Sequence, residues 1–174
     1  RLDNWTSGAI LAAKNRNSWE LLRDELFSGE FTKSYLAVIE GEPSWKRREI
    51  EFDLLQSSDG KSMRCVESGT DGALAANSVV EVVCVKTNPS LAVVRVSAPR
   101  ARRHQIRCHL AYVGHPLWGD AQYKAKQTLV DLGIPDLTKG FLLHAESIEL
   151  IHPHTGKPVV AVAESEAIKK VIEL

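Results

Sequence analysis

Residues 79–85 and 91–96 are valine-rich and stand on either side of Asn88-Pro89-Ser90. β-Branched runs of that length, broken by a turn tripeptide, read as a hairpin. A lone hairpin is marginal in water, so the rest of the chain must supply more strands or a helix to cover its apolar face. Residues 33–39 read as a strand containing Tyr35, and Ile50, Phe52 and Leu54 alternate with Glu49, Glu51 and Asp53. That period of two fits a strand with one wet face. Asp59-Gly60 marks a turn into 63–66, residues 142–151 and 159–163 flank the turn His152-Pro153-His154-Thr155-Gly156, and the apolar run 9–13 reads as one more strand.

Helical spacing is confined to a few stretches. Asn17 with Glu20 has the form of a capping box, and Trp19, Leu22 and Leu26 follow on one face until Gly29 stops the helix. Ile106, Leu110 and Val113 define a second helix that Gly114 ends and Pro116 keeps from resuming, and Ile168, Val171 and Ile172 define a closing one. Residues 124–140 read as a short helix plus loop. Strands outnumber helices and are mostly joined by turns, so the expected fold is α+β, a mixed, largely antiparallel sheet flanked by helices. The 174 residues, without repeats or a low-complexity linker, fit one domain. No apolar run approaches the roughly 20 residues of a membrane-spanning helix.

The charge is balanced overall, with 22 Lys and Arg against 22 Asp and Glu, but it is unevenly spread. Between residues 86 and 126 there are eight basic residues and one acid, Asp120. Such a segment either binds phosphates or pairs with acidic elements elsewhere in the fold, and charge alone does not choose between them. Within it, Arg103 and Arg107 are four apart and share a helical face, with Arg102 at the helix entrance. This arrangement serves to hold phosphates at a helix start, or to turn one arginine inward to a buried carboxylate, for which Asp3 is one candidate among many.

Three cysteines, Cys65, Cys84 and Cys108, are widely spaced and odd in number, which excludes a disulfide framework and a C-x-x-C zinc module. They fit a reducing, intracellular setting, cytoplasmic or organellar, mitochondria included. Glycine-rich phosphate loops and the G-x-S-x-G elbow are absent. His104, Cys108 and His109 offer the one cluster from which a metal-assisted hydrolase could be built, though no second pair at ligand spacing supports it.

Four separated segments together resemble the RluA-type family of RNA pseudouridine synthases: RLDNWTSGAILAAK at 1–14, KSYLAVIEG at 33–41, RARRHQIRCHLAYVGHPLWGD at 100–120 and LLHAESIELIHPHTG at 142–156. They occur in the family's order and span most of the chain. The resemblance implies the pseudouridine synthase catalytic-domain fold and isomerisation of uridine to its C-glycoside in ribosomal or transfer RNA, without metal or cofactor. It implies that Asp3 is the catalytic aspartate, that Tyr35 lies against the target base and takes part in proton removal, and that Arg107 pairs with the aspartate. Leu143 would line the base pocket, Arg1 would contact RNA as the base is extruded, and Arg102, Arg103, His104 and Gln105 would form the RNA-facing edge.

Three positions depart from the family pattern. Ala101 and Arg103 stand where a glycine and a small residue are usual, and Trp5 stands where an acid is common. The aspartate, tyrosine and arginine are intact, so the expected protein is an active enzyme with altered RNA choice. A non-catalytic RNA-binding or ribosome-assembly protein on the same fold is the alternative, and ribosome-assembly partners are possible under either view. Met63 is the only methionine, so residues 1–174 are expected to be a catalytic domain without its N-terminal part.

Overall fold

The computed structural model describes residues 1–28, 31–99, 102–135 and 137–174. Its frame is a seven-stranded sheet in which β2 (Thr32–Glu40), β6 (Ser78–Thr87), β7 (Ser90–Ser97) and β8 (Leu143–Ile151) form the centre. The valine-rich hairpin is β6–β7, closed at Asn88-Pro89, and β2 pairs with β7 on one side and β8 on the other, all antiparallel. β3 (Arg47–Ile50) extends the sheet beyond β6. The far edge of β8 is shared by β1 (Ser7–Gly8) at one end, the sole parallel pairing described, and β9 (Pro158–Val162) at the other. A separate hairpin, β4 (Asp53–Gln56) with β5 (Met63–Val66), stands off the sheet. The α+β expectation is borne out.

Alternation along the central strands sorts the apolar side chains onto two faces. Tyr35, Ala37, Ile39, Val94, Val96, Leu143 and Ala145 share one face, covered by Ile106 and Leu110 of α2 (Gln105–Tyr112). Val38, Leu91, Val93 and Leu142 face the other way, onto Trp118, Leu129 and Leu132 and onto Ile168 and Val171 of α3 (Glu166–Glu173). α1 (Arg16–Ser28) lays Leu22 and Leu26 against Phe31, Ile148 and Leu150.

Three expectations need correction. The run 9–13 forms no strand: of this segment β8's edge takes only Ser7 and Gly8, plus one bond from the Ala9 N–H to the Ala145 carbonyl, β9 holding the rest of that edge, and Ile10 and Leu11 end up exposed. The alternating stretch 50–54 is two strands in two sheets. It breaks because the Phe52 carbonyl bonds the buried His109 ring at 2.9 Å instead of a neighbouring strand, while Phe52 packs on Tyr112. The cap of α1 is Asn15, whose Oδ1 accepts from the Ser18 N–H, and Glu20 pairs with Arg16. The stretch 124–140 is a short helix plus loop as expected: among its described residues the helix is the 3₁₀ turn Leu129–Leu132, and a further 3₁₀ turn stands just before the stretch at Ala121–Tyr123. Gly29 and Ala101, to which a helix stop and an altered loop were ascribed, lie outside the described residues, as does Arg100 of the basic segment.

Candidate active site

The first eight residues are pinned to β8. Thr6 N–H donates to the Asp3 carbonyl at 2.9 Å, closing a turn, and Ser7 Oγ meets His144 Nδ1 at 2.8 Å. Gly8 then lies so close to the Ala145 carbonyl that a Cβ has no room, and its φ of +108° is one that L side chains rarely adopt. Trp5 packs its indole against Gly140, whose own carbonyl occupies the space a Cβ on Gly119 would need. Asp120 follows Gly119. Two carboxyl-bearing segments, one holding Asp3 and one holding Asp120, are thus set in place by contacts through Trp5 and two glycines.

Gly8→Ala is expected to cost roughly 1–3 kcal/mol, the usual range for a forced backbone conformation. With Asp3 in the catalytic role that the resemblance implies, it should also lower activity well beyond that loss of stability, by shifting Asp3. Urea denaturation alongside turnover at a temperature where the variant is folded checks both. Full turnover in a folded variant would show that β1 does not position Asp3.

Between the two carboxylates sits Arg107, on the inner face of α2. Its Nε donates to Asp120 Oδ2 at 2.7 Å and its Nη2 to Asp120 Oδ1 at 2.9 Å, a two-point fork, while Nη2 also donates to Gln122 Oε1 at 2.7 Å. Nη1 is left facing Asp3, 3.7 Å from Oδ2. The rings of Phe141 and Tyr123 lie 4.4 and 4.9 Å from the guanidinium carbon. Burying a cation costs several kcal/mol unless it is paired and bonded, and here Nε and Nη2 spend all three of their N–H groups on Asp120 and Gln122, while Nη1 has the Asp3 charge before it. Burial works against the Arg107 charge, but the bonds and charge of Asp120, with Asp3 beyond, outweigh it and hold its pKa above the ordinary value.

Asp3 and Tyr35 open onto a cleft of about 600 Å³. A bulge in the β2–β8 ladder between Ser34 and Tyr35 sets the tyrosine opposite Ala145, on the same face as Leu143. The residue left over, Glu146, turns away to receive Arg95 at 2.8 and 2.9 Å. Burial, and then the nearby Asp3 charge, push the Tyr35 phenol up to about 12, so it is neutral at ordinary pH. Tyr123 is also pushed up to about 12, chiefly by burial.

A phenol raised in the folded state keeps its proton after the unfolded chain has lost its own near pH 10. Stability is then complete below about pH 10 and falls as pH rises toward about 12. Phenolate absorbance followed through an alkaline titration should show two tyrosines ionising late, together with unfolding. Two early phenolates in folded protein would contradict this.

The remaining predicted residues divide. Arg1, Arg102, Arg103, His104, Gln105 and Leu143 all border the cleft, and Asp3 is the sole carboxylate among its described lining residues. Arg103 does not share a helical face with Arg107, because α2 starts at Gln105; its guanidinium donates to the carbonyls of Gly60 and Lys61 in the β4–β5 turn at 2.9 and 3.0 Å. Gln105 is 2% exposed, with its amide donating to the Asn77 carbonyl and Ser78 Oγ and its Oε1 accepting the Arg102 N–H. It shapes the loop rather than presenting a free group.

His104 holds a left-handed backbone, φ 55°, with Nδ1 3.0 Å from Tyr123 Oη. Burial and then Arg107 lower its pKa, which keeps the ring neutral. Of the basic segment, Arg95 and Arg107 are paired internally and Lys124 and Lys126 border a different cavity. His104, Cys108 and His109 turn to separate partners, so the hydrolase reading has no geometry. Cys108 meets Cys65 instead, sulfur to sulfur at 3.3 Å, as free thiols.

Sequence reasoning missed Asp120 as the main partner of Arg107, and with it Gln122, Tyr123 and Phe141. One signal was available: Asp120 is the lone acid in the basic segment, and a buried arginine needs one.

A sheet-borne cleft with one carboxylate among cations in its described lining is a site suited to a polyanion. The chain belongs to the RNA pseudouridylate synthase family, whose pattern matches residues 1–112. Among its relatives, an uncharacterized RNA pseudouridine synthase, YhcT, of Bacillus subtilis is 31% identical over 170 residues, covering 98% of this chain and 53% of that one. Ribosomal large subunit pseudouridine synthase C of Escherichia coli K12 is 29% identical over 181 residues, covering 99% and 54%. The chain therefore spans about half the length of these relatives. Two solved human structures share the fold. RNA pseudouridylate synthase domain containing 4 has a TM-score of 0.74 at 21% identity, covering 94% of this chain and 69% of its own. Domain containing 1 has a TM-score of 0.67 at 20% identity, covering 87% and 62%.

Proposed function

We propose that this chain is the catalytic domain of an RNA pseudouridine synthase, an isomerase that converts uridine to pseudouridine within an RNA strand. The observation that carries the reading is Asp3: the one carboxylate described in a cation-lined cleft, 3.7 Å from an arginine that a second carboxylate holds in place. That the Escherichia coli relative is a ribosomal large subunit pseudouridine synthase favours ribosomal over transfer RNA as the substrate class. The same reading puts the enzyme inside the cell, where ribosomal RNA is made and where ribosome-assembly proteins are its natural neighbours.

The reaction is an isomerisation, so every atom of the uridine is retained. The N1–C1′ bond breaks, the uracil turns, a C5–C1′ bond forms, and the proton lost from C5 is balanced by one gained at N1. Asp3 supplies the anion beside the sugar or base, with Arg107 Nη1 steadying its charge. Leu143 and the Tyr35 ring receive a base that must first leave its stack, which costs a few kcal/mol in a duplex and less in a loop. Part of Tyr35's raised pKa comes from the Asp3 charge. If Asp3 becomes neutral in a bond to the substrate, that part is removed and the phenol is better able to exchange the C5 proton. Trp5, which motivates the non-catalytic alternative, packs on Gly140 and leaves Asp3 within reach of Arg107.

Mapping pseudouridine in ribosomal RNA from cells with and without the protein tests the proposal. At least one uridine should lose its modification and regain it when the wild-type protein is restored. An unchanged map of ribosomal and transfer RNA would favour the scaffold alternative.

A further inference from the structure

A smaller hollow of about 260 Å³ adjoins the catalytic cleft, between α1 and the segment after β1. The two share Arg1, Leu2, Leu26, Lys33 and Tyr35 as a common border, so a strand lying in one continues into the other. The hollow's chemistry differs from that of the cleft. Trp19 is 51% exposed, and Ile10 and Leu11 beside it are exposed as well. Three large apolar side chains left open in one place mark a surface that is covered by something.

Charge says what kind of molecule covers it. Arg23 places its guanidinium 5.1 Å over the Trp19 ring, and Lys33 sits 5.1 Å from the Phe31 ring. No carboxylate is among the described residues lining the hollow. Asp24 pairs with Arg23 from outside, in a largely exposed contact. Indole with guanidinium is a stacking platform for a nucleobase, because every base has a π-face, and the flanking cations suit the phosphates on either side of it. An acidic peptide would find the cations but no polar groups for its backbone on the apolar floor.

We infer that this hollow is a subsite for the base of the nucleotide next to the target uridine, stacked on Trp19 with Arg23 and Lys33 toward its phosphates. The inference rests on the RNA reading above but not on turnover. Stacking is indifferent to which base is present, so the subsite adds affinity without adding sequence choice.

The test is binding, read by anisotropy of two short end-labelled single strands at low salt. One carries a single uridine flanked by cytidines, the other the same uridine flanked by abasic sugars. Wild-type protein should bind the cytidine-flanked strand about tenfold or more tightly than the abasic one. Trp19→Ala should bind both strands with the weaker affinity, so the two losses do not add, and Trp19→Phe should recover most of the difference. Trp19 is half exposed, so these variants are expected to fold, which circular dichroism checks.

Equal binding of the two strands by wild-type protein, or undiminished binding by Trp19→Ala, would overturn the subsite and give the hollow to another occupant, such as a second copy of the chain. The isomerase reading would then stand or fall on the pseudouridine map alone. Failure of both strands to bind would overturn the subsite together with the RNA reading.

Discussion

Asp3→Asn will abolish pseudouridine formation while leaving RNA binding nearly intact. The substitution keeps the size of the side chain and its place in the turn that Thr6 closes, and removes the charge that Arg107 Nη1 faces. Removing an enzyme's reacting nucleophile commonly costs several powers of ten, and a loss of at least about a thousandfold is expected here. Affinity should hold, because the cations bordering the cleft are untouched. A second reading comes from the phenol. The Asp3 charge is one of the two causes that raise Tyr35, so Asp3→Asn should bring the Tyr35 pKa down from about 12. A variant that still isomerises uridine at the wild-type rate would remove Asp3 from the chemistry. A variant that is inactive with Tyr35 unmoved would leave the aspartate its role and deny the electrostatic link between the two.

What the sequence made legible, and what it did not, follows from how far each cause reaches along the chain. The β6–β7 hairpin, the β4–β5 turn at Asp59-Gly60 and the end of α2 at Gly114 are local, written in neighbouring residues, and they were readable. The run 9–13 was misread because apolar composition does not make a strand. A strand needs a free edge, and β1 and β9 already divide the one that β8 offers. The split between β3 and β4 depends on His109, more than fifty residues away in sequence, reaching the Phe52 carbonyl. For the site, motif resemblance brought Asp3, Tyr35 and Arg107 together, and the fold does converge them. Spacing alone did not reveal that Arg107 answers first to Asp120. Nor did it show that Arg103, which looked like a phosphate ligand, holds a hairpin turn.

Asp120→Ala should be among the most damaging single substitutions in the chain. It deletes a carboxylate that is 2% exposed and leaves Arg107, 5% exposed, without its fork partner between two aromatic rings. Breaking a buried ion pair by removing one member typically costs about 3–5 kcal/mol, because the orphaned charge stays in a poorly solvated place. The pair's pH dependence does not offset this, since arginine keeps its proton throughout the accessible range. Two outcomes are expected together. Urea denaturation should show an unfolding free energy lowered by that amount, through a lower midpoint at an unchanged slope, which marks lost stability rather than an altered unfolded state. Activity should fall even where the variant is folded, because among the described residues Gln122 and Asp3 are the partners left for the guanidinium. Arg107 is then expected to move toward Asp3 and close the gap of 3.7 Å into a direct hydrogen-bonded pair, which keeps the carboxylate ionised but ties up the oxygen that would attack. Replacing Arg107 and Asp120 together with Met and Leu should restore much of the stability, since exchanging a buried pair for apolar groups of similar volume is often neutral or better. It should restore none of the activity. Recovery of turnover in that double variant would mean that Arg107 serves only to fill the core, and that Asp3 works without it.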